Sequence, residues 1–160
     1  MASKRVEKLL KKQNFSYEIR DFDRDFIDTE DSRELLDIPM RNIAKTLVYG
    51  APIGAFMIIL SGDALIDSAK YKKKFKVEQV RMDAEDLMDY TGNEPGAVSP
   101  LAVPNKRVKI YLDISLKRFM EEYVYVSGGT MNSAIGIKAK DLFAVSGARE
   151  WVDICMNWQT

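Results

Sequence analysis

The sequence predicts an α+β domain built on a mixed sheet, and three observations carry that prediction. Helical spacing of apolar residues dominates the first 90 residues, and runs rich in β-branched and aromatic residues dominate the rest. The two kinds of segment do not alternate as a regular βαβ series requires.

Taken in order, Val6, Leu9 and Leu10 recur at helical spacing among lysines, which predicts an amphipathic helix closing near Gln13 and Asn14. "YEIRDF" alternates as a strand. "TEDSRELLD", Thr29 to Asp37, opens with a capping residue and an acidic first turn, so a second helix precedes Pro39. "AKTLVYG" and "AFMIILSG" read as neighbouring strands joined by a turn at Ala51, Pro52, Ile53 and Gly54. From Asp63 to Lys76, "DALIDSAKYKKKFK" returns to a helical pattern, and Asp83 to Tyr90 forms another helix with a capping aspartate, ending before Gly92. "RVKIYLD", "YVYVS" and "AIGIKA" are three more strands, "KDLFAVSG" a short helix and "WVDIC" the last strand. No repeat, low-complexity tract or linker divides the chain, so residues 1–160 are expected to form a single domain.

Composition narrows the function classes. The 24 basic and 24 acidic residues cancel, so no global field draws the chain to nucleic acid or to an anionic membrane, and such contacts must be local. The single cysteine, Cys155, makes no internal disulfide and reads as an inert core thiol, while the absence of histidine excludes the usual Cys/His zinc sites. No signal peptide is visible at the N-terminus, and the longest apolar stretch is about half a membrane span, so a cytoplasmic location without membrane contact is expected.

Ser–His–Asp and Cys–His mechanisms are also out, which leaves lysine, carboxylate, hydroxyl and backbone amide. Lys70, Lys72, Lys73 and Lys74, with Tyr71 and Phe75 interleaved, read either as a phosphate track with an aromatic face or as a solvated helix face over two core aromatics. The carboxylates of "DAEDLMD" fit helix-start charges. Lys45 enters an apolar strand, where a lysine either points outward or lines a cavity. Ser127-Gly128-Gly129-Thr130 is compatible with a plain hairpin turn. "GAVSPLAVPN", from Gly96 to Asn105, is a stiff and nearly uncharged bend.

The ordered set "IAKTLVY", "GNEPGAVSPLAVPN", "KIYLDISL" and "YVSGGTMNSAIGIKAKDL" resembles the YbaK/prolyl-tRNA synthetase-associated family of aminoacyl-tRNA editing domains. The likeness runs from about Ile43 to Val145. It implies a largely antiparallel, barrel-like sheet flanked by helices, and a hydrolase that removes a small amino acid from a mischarged tRNA without a cofactor. In such domains the glycine-to-proline loop is similar to an oxyanion cradle, because preorganised amides stabilise developing charge and need no titratable side chain.

The roles implied by the resemblance follow from that picture. Lys45 would face the loop across a hollow and hold the 3′-terminal nucleotide of the tRNA, while amides at Gly96, Ala97 and Val98 bind the ester carbonyl. Ser127, Gly128, Gly129 and Asn132 would form another pocket wall, with Ser99, Pro100 and Asp113 as polar contacts or support. The partners implied are the aminoacyl-tRNA 3′ end and a synthetase. Some members carry a histidine near the position of Gly128 or Gly129, where this chain has none. Its Gly-Gly turn is more like the YbaK-type branch, which removes cysteine from prolyl tRNA, but Thr130-Met131-Asn132 stands where that branch has basic residues. The alternative is a non-catalytic domain that binds a tRNA end, a nucleotide or a synthetase.

Overall fold

Every residue of β3 (Ala55–Ser61) is buried, because the strand feeds two cores at once. Met57 and Ile59 enter the main core with Leu10, Leu112, Ile135 and Leu142, while Phe56, Ile58 and Leu60 enter a second cluster around Tyr71 and Ile154. A strand covered on both faces loses its polar alternation, which is why this one reads as a continuous apolar run. Each such side chain contributes about 1.5–3 kcal/mol of burial.

The computed structural model describes residues 1–159. Before β3 come α1 (Lys4–Lys11), β1 (Tyr17–Asp21), α2 (Thr29–Leu36), a 3-10 turn (Met40–Asn42) and β2 (Ala44–Gly50). After it follow β4 (Leu65–Ile66), α3 (Ser68–Phe75), α4 (Ala84–Thr91), β5 (Val108–Asp113) and a second 3-10 turn (Ile114–Phe119). The chain continues through β6 (Tyr123–Ser127), β7 (Ser133–Lys138), α5 (Ala139–Ser146), β8 (Glu150–Val152) and β9 (Cys155–Met156). The result is the expected α+β arrangement. A four-stranded mixed sheet runs β2-β3-β5-β8, an antiparallel sheet runs β1-β7-β6, and β4 pairs β9. Among the described residues no barrel closes. Ile43, just before β2, bridges Tyr125 of β6, and the two larger sheets share the main core through Met57 and Ile59 on one side and Val124, Val126, Ile135 and Ile137 on the other.

Local chemistry explains the boundaries. Asp28, Asp67 and Asp83 each accept a backbone N–H of the turn they cap, satisfying donors that a helix start leaves open. The helix expected over Asp63–Lys76 begins only at Ser68. Leu65 and Ile66 are drawn out of it by pairing with Met156 and Cys155, which lie far away in sequence. "WVDIC" likewise divides: Trp151 and Val152 pair with β5, whereas Cys155 pairs with β4. Asp113, fully buried, holds this corner by accepting N–H bonds from Ser115 at 2.8 Å and Ile154 at 3.0 Å. It is absent from the lining of the two cavities described below.

Candidate active site

A cavity of about 510 Å³ opens along the free edge of β2, a size suited to a small-molecule moiety. The edge is open for a simple reason. Gly62 N–H donates to Ile43 C=O and Ala51 N–H to Gly54 C=O at the two ends of the β2–β3 ladder. Antiparallel alternation therefore turns the main-chain groups of 43, 45, 47 and 49 toward β3, and those of 44, 46 and 48 toward the cavity. The Ile43–Tyr125 bridge closes one end, and Gly50 N–H bonded to Val80 C=O at 2.8 Å closes the other. Opposite walls come from α2, the Pro95–Val98 loop and the start of the β6–β7 connection.

The loop is built by one buried asparagine and one clamp. Gly92, in left-handed conformation, ends α4, and Asn93 follows at 6% exposure. Asn93 Oδ1 accepts from Ser99 N–H at 3.2 Å while its Nδ2 donates to the Gly129 carbonyl at 3.3 Å. Ala97 N–H donates to Glu94 C=O at 3.0 Å, and the Ala97 carbonyl accepts from Ser127 Oγ at 3.1 Å. The Gly96 and Val98 N–H groups have no acceptor among the described residues. Both residues line the cavity, and Gly96 holds φ at +85°, a conformation that favours glycine.

The expectation for Ala97 is thus corrected: its amide is spent on the turn, and its side chain is buried at 4% exposure. Ser99 is buried, and its Oγ accepts from Leu101 N–H. Pro100 is buried beside it, and neither lines the cavity.

Of the second loop, Ser127 alone among the four expected residues reaches the main cavity. Gly128 is a close-packing point, since an added Cβ would lie 2.3 Å from Ser133 Oγ. Gly129 and Asn132 line a separate cavity of about 330 Å³. There Asn132 Oδ1 accepts from the N-terminal ammonium at 2.9 Å and from Thr130 Oγ1 at 3.1 Å. Met131 lines both cavities.

Lys45 lines the main cavity, yet it does not face the loop. Ala44 and Val48 pack in the main core together with Val98, whereas Leu47 and Tyr49 pack in the second cluster. Strand alternation places Lys45 with the latter pair. Its Nζ donates to the Ala64 carbonyl at 2.8 Å, and burial pulls its pKa below the ordinary lysine value, partly offset by Cys155 and Asp63. The side chains of β2 that share the loop's face are Ala44, Thr46 and Val48. Thr46 Oγ1 is buried and has no hydrogen-bond partner among the described residues.

Arg81 is the residue that pattern reading missed. It is exposed, lines the cavity mouth and forms no ion pair among the described residues. The α3 lysines are mostly neutralised: Lys70 pairs with Asp153, Lys72 with Glu78 and Lys74 with Glu150, which leaves Lys73. Tyr71 and Phe75 of that helix pack in the second cluster, as the solvated-face reading holds. At the α2 rim, the Arg24 guanidinium bonds Asp31 and holds its carboxyl down to about 2, helped by the Ile27 N–H. Cys155 is fully buried, and desolvation pushes its thiol pKa up, so it is unreactive.

The fold and cavity together define a class: an α+β domain with a cavity between an open strand edge and a loop in which two N–H groups have no acceptor among the described residues. The chain belongs to the aminoacyl-tRNA editing domain family, whose sequence pattern matches residues 25–145. It is 29% identical over 160 residues to YwhH of Bacillus subtilis (strain 168), described as uncharacterized, with 99% of this chain and 100% of that protein covered. It is also 30% identical over 92 residues to the proline–tRNA ligase of Thermotoga sp. (strain RQ2). That match covers 57% of this chain and 16% of the ligase. A crystal structure described as a candidate trans-editing enzyme for prolyl tRNA synthetase shares the fold, with a TM-score of 0.82 at 22% identity over 95% of each chain.

Proposed function

We propose that the chain is a trans-editing hydrolase that deacylates a mischarged tRNA carrying a small amino acid, such as cysteine or alanine on tRNA(Pro). The observation that carries this reading is the pair of unpartnered N–H groups at Gly96 and Val98 on the cavity wall. Backbone donors held by a rigid loop stabilise an oxyanion without a titratable side chain, and one such donor is worth about 10²–10³ in rate.

In this mechanism the ester carbonyl oxygen accepts from the Gly96 and Val98 amides. Water adds to the carbonyl carbon, the bond to the ribose oxygen breaks, and that oxygen takes the water's proton, so free amino acid and uncharged tRNA leave. The ribose hydroxyl next to the ester orients the water, because the cavity offers no imidazole. Arg81 meets a phosphate at the mouth, where a planar guanidinium forms bidentate bonds. Lys45 keeps two N–H donors beyond its bond to Ala64 for a ribose or phosphate oxygen of the terminal nucleotide. A second site of limited size serves fidelity because one methylene gives a synthetase only about 1–3 kcal/mol of discrimination.

The test is deacylation of purified alanyl-, cysteinyl- and seryl-tRNA(Pro). Faster loss of one amino acid with protein than without supports the hydrolase. The bond that turns Lys45 toward Ala64 favours a second reading, a non-catalytic domain that binds a tRNA 3′ end, a nucleotide or a synthetase. Retained tRNA binding with no acceleration for any of the three substrates selects it.

A further inference from the structure

We infer that Met131 limits the size of the amino-acid side chain that the main cavity accepts, an inference that rests on the editing reading of that cavity. The main cavity and the smaller one lie back to back. Phe26, Leu87 and Pro95 line the larger, while their chain neighbours Asp25, Met88 and Glu94 line the smaller. The loop divides in the same way, with Gly96 and Val98 on one side and Ala97 on the other. A partition one residue thick therefore separates the cavities, and Met131 is the residue that lines both.

The surroundings fix where that side chain acts. Met131 C=O accepts from Phe26 N–H at 2.7 Å and Asn132 C=O from Phe22 N–H at 2.9 Å, so the main chain is pinned beside the partition. The half-buried thioether reaches Gly96, where an added Cβ would stand 3.5 Å from Met131 Cε. Its methyl thus lies next to an amide assigned to the ester carbonyl. With the carbonyl oxygen on the Gly96 and Val98 amides, the carbonyl carbon carries the ribose oxygen on one side and Cα on the other. The tRNA enters past Arg81, beside the Gly50–Val80 closure, so Cα and its side chain turn away from that mouth, toward the β6–β7 connection that holds Met131. The side chain of alanine or cysteine fits in front of the thioether, and a branched one meets Cε. An unbranched thioether is an adaptable wall, and exclusion by it is the kind of discrimination that a second, size-limited site supplies.

Met131→Ala removes Cγ, Sδ and Cε, about the volume by which a leucine side chain exceeds that of alanine. The probes are 3′-alanylamino-3′-deoxyadenosine and its leucyl counterpart, whose amide links resist hydrolysis, so binding is read without turnover. The wild-type chain binds the alanyl probe at least about tenfold more tightly, the scale of a misfit methylene in an apolar pocket. Met131→Ala brings the two probes within about threefold by strengthening leucyl binding, while alanyl binding changes little. Met131→Val falls between, and Met131→Leu, of similar volume, keeps the wild-type ratio. Circular dichroism and unfolding midpoints establish that each protein is folded, and Met131→Val decides the matter should the alanine variant not be. A purely structural role would weaken both probes alike and leave their ratio unchanged. An unchanged ratio in the alanine and valine variants, equal binding of the two probes by wild type, or binding of neither overturns the inference. The expected change of ratio in a protein that deacylates no aminoacyl-tRNA removes the hydrolase reading and leaves this size limit standing.

Discussion

Ser127 and Ala97 are joined across 30 positions of sequence by a hydrogen bond of 3.1 Å from the serine Oγ to the alanine carbonyl, and the same Oγ accepts from Gly129 N–H at 3.1 Å. One hydroxyl thus locks the amide-bearing loop onto the end of β6. Because Ala97 stands between Gly96 and Val98, the direction of both free amides depends on this clamp.

Ser127→Ala is accordingly expected to reduce deacylation more than it reduces stability. Losing the bonds of one part-buried hydroxyl costs about 1 kcal/mol, equivalent to a midpoint fall of about 2–4 °C for a domain of this size. An amide pair that has drifted loses a larger part of its oxyanion stabilisation. Single-turnover rates beside thermal unfolding decide the matter: a lower midpoint with an unchanged rate would make the clamp purely structural.

Gly96→Val is expected to lower the rate by about 10²–10³ through loss of one oxyanion donor. Space is not the obstacle, since the nearest atom to an added Cβ is Met131 Cε at 3.5 Å. The obstacle is φ at +85°, which a β-branched residue resists. Gly96→Ala, with less backbone strain, should retain more of the rate than valine. If valine and alanine variants that remain folded both match wild type, the ester carbonyl is bound elsewhere.

What the sequence disclosed, and what it hid, follows from the range of the interactions involved. β2, β3 and β5 were legible because their composition is decided by their own burial, and α4 because Asp83 and Gly92 mark both ends. The split of "WVDIC" between two sheets and the extraction of Leu65–Ile66 from a helical pattern depend on partners about 40 to 90 residues distant, which no local period encodes. At the site, the loop and Lys45 were visible as motifs. The capture of the Ala97 amide by Glu94, the face taken by Lys45 and the orphaned Thr46 hydroxyl are products of register and turn geometry. Arg81 stands between two helices in no pattern at all, and a chain with zero net charge gives no hint of which cations are left unpaired.

That contrast between paired and unpaired cations yields a prediction for tRNA binding. Arg81→Ala should weaken binding and reduce the slope of log K against log salt by about 1, as expected for loss of one phosphate contact. Charge reversal at Lys72 and Lys74 should do less, because each already faces a carboxylate. Lys73 is the member of that helix with an ammonium to spare, so Lys73→Glu is the fair test of a track along α3. Filter binding over a salt series ranks the three, and a larger slope change from the α3 reversals than from Arg81→Ala would move the phosphate contact to that helix.

Lys45 carries the last prediction, which links the site to stability. On the proposed contact of its ammonium with the terminal nucleotide, Lys45→Met should lower kcat/KM by about 10- to 100-fold, the range of a charge-assisted hydrogen bond. Its effect on folding has a sign that the pH dependence exposes. Burial depresses the folded-state pKa of Lys45 below the ordinary 10.5, so between the two values the unfolded chain binds the proton more tightly. Stability of the wild type must then rise with pH through that window, and the penalty is full below it. Lys45→Met has no proton to lose at this position and lacks this slope. Urea unfolding at pH 7 and at about pH 10 should therefore shift the wild-type minus variant difference toward the wild type at the higher pH. A difference that stays constant would mean the ammonium is as well solvated as in the open chain, and a shift the other way would mean that an anion holds it. Either result would remove the buried, single-acceptor environment on which the assignment of Lys45 to the tRNA end depends.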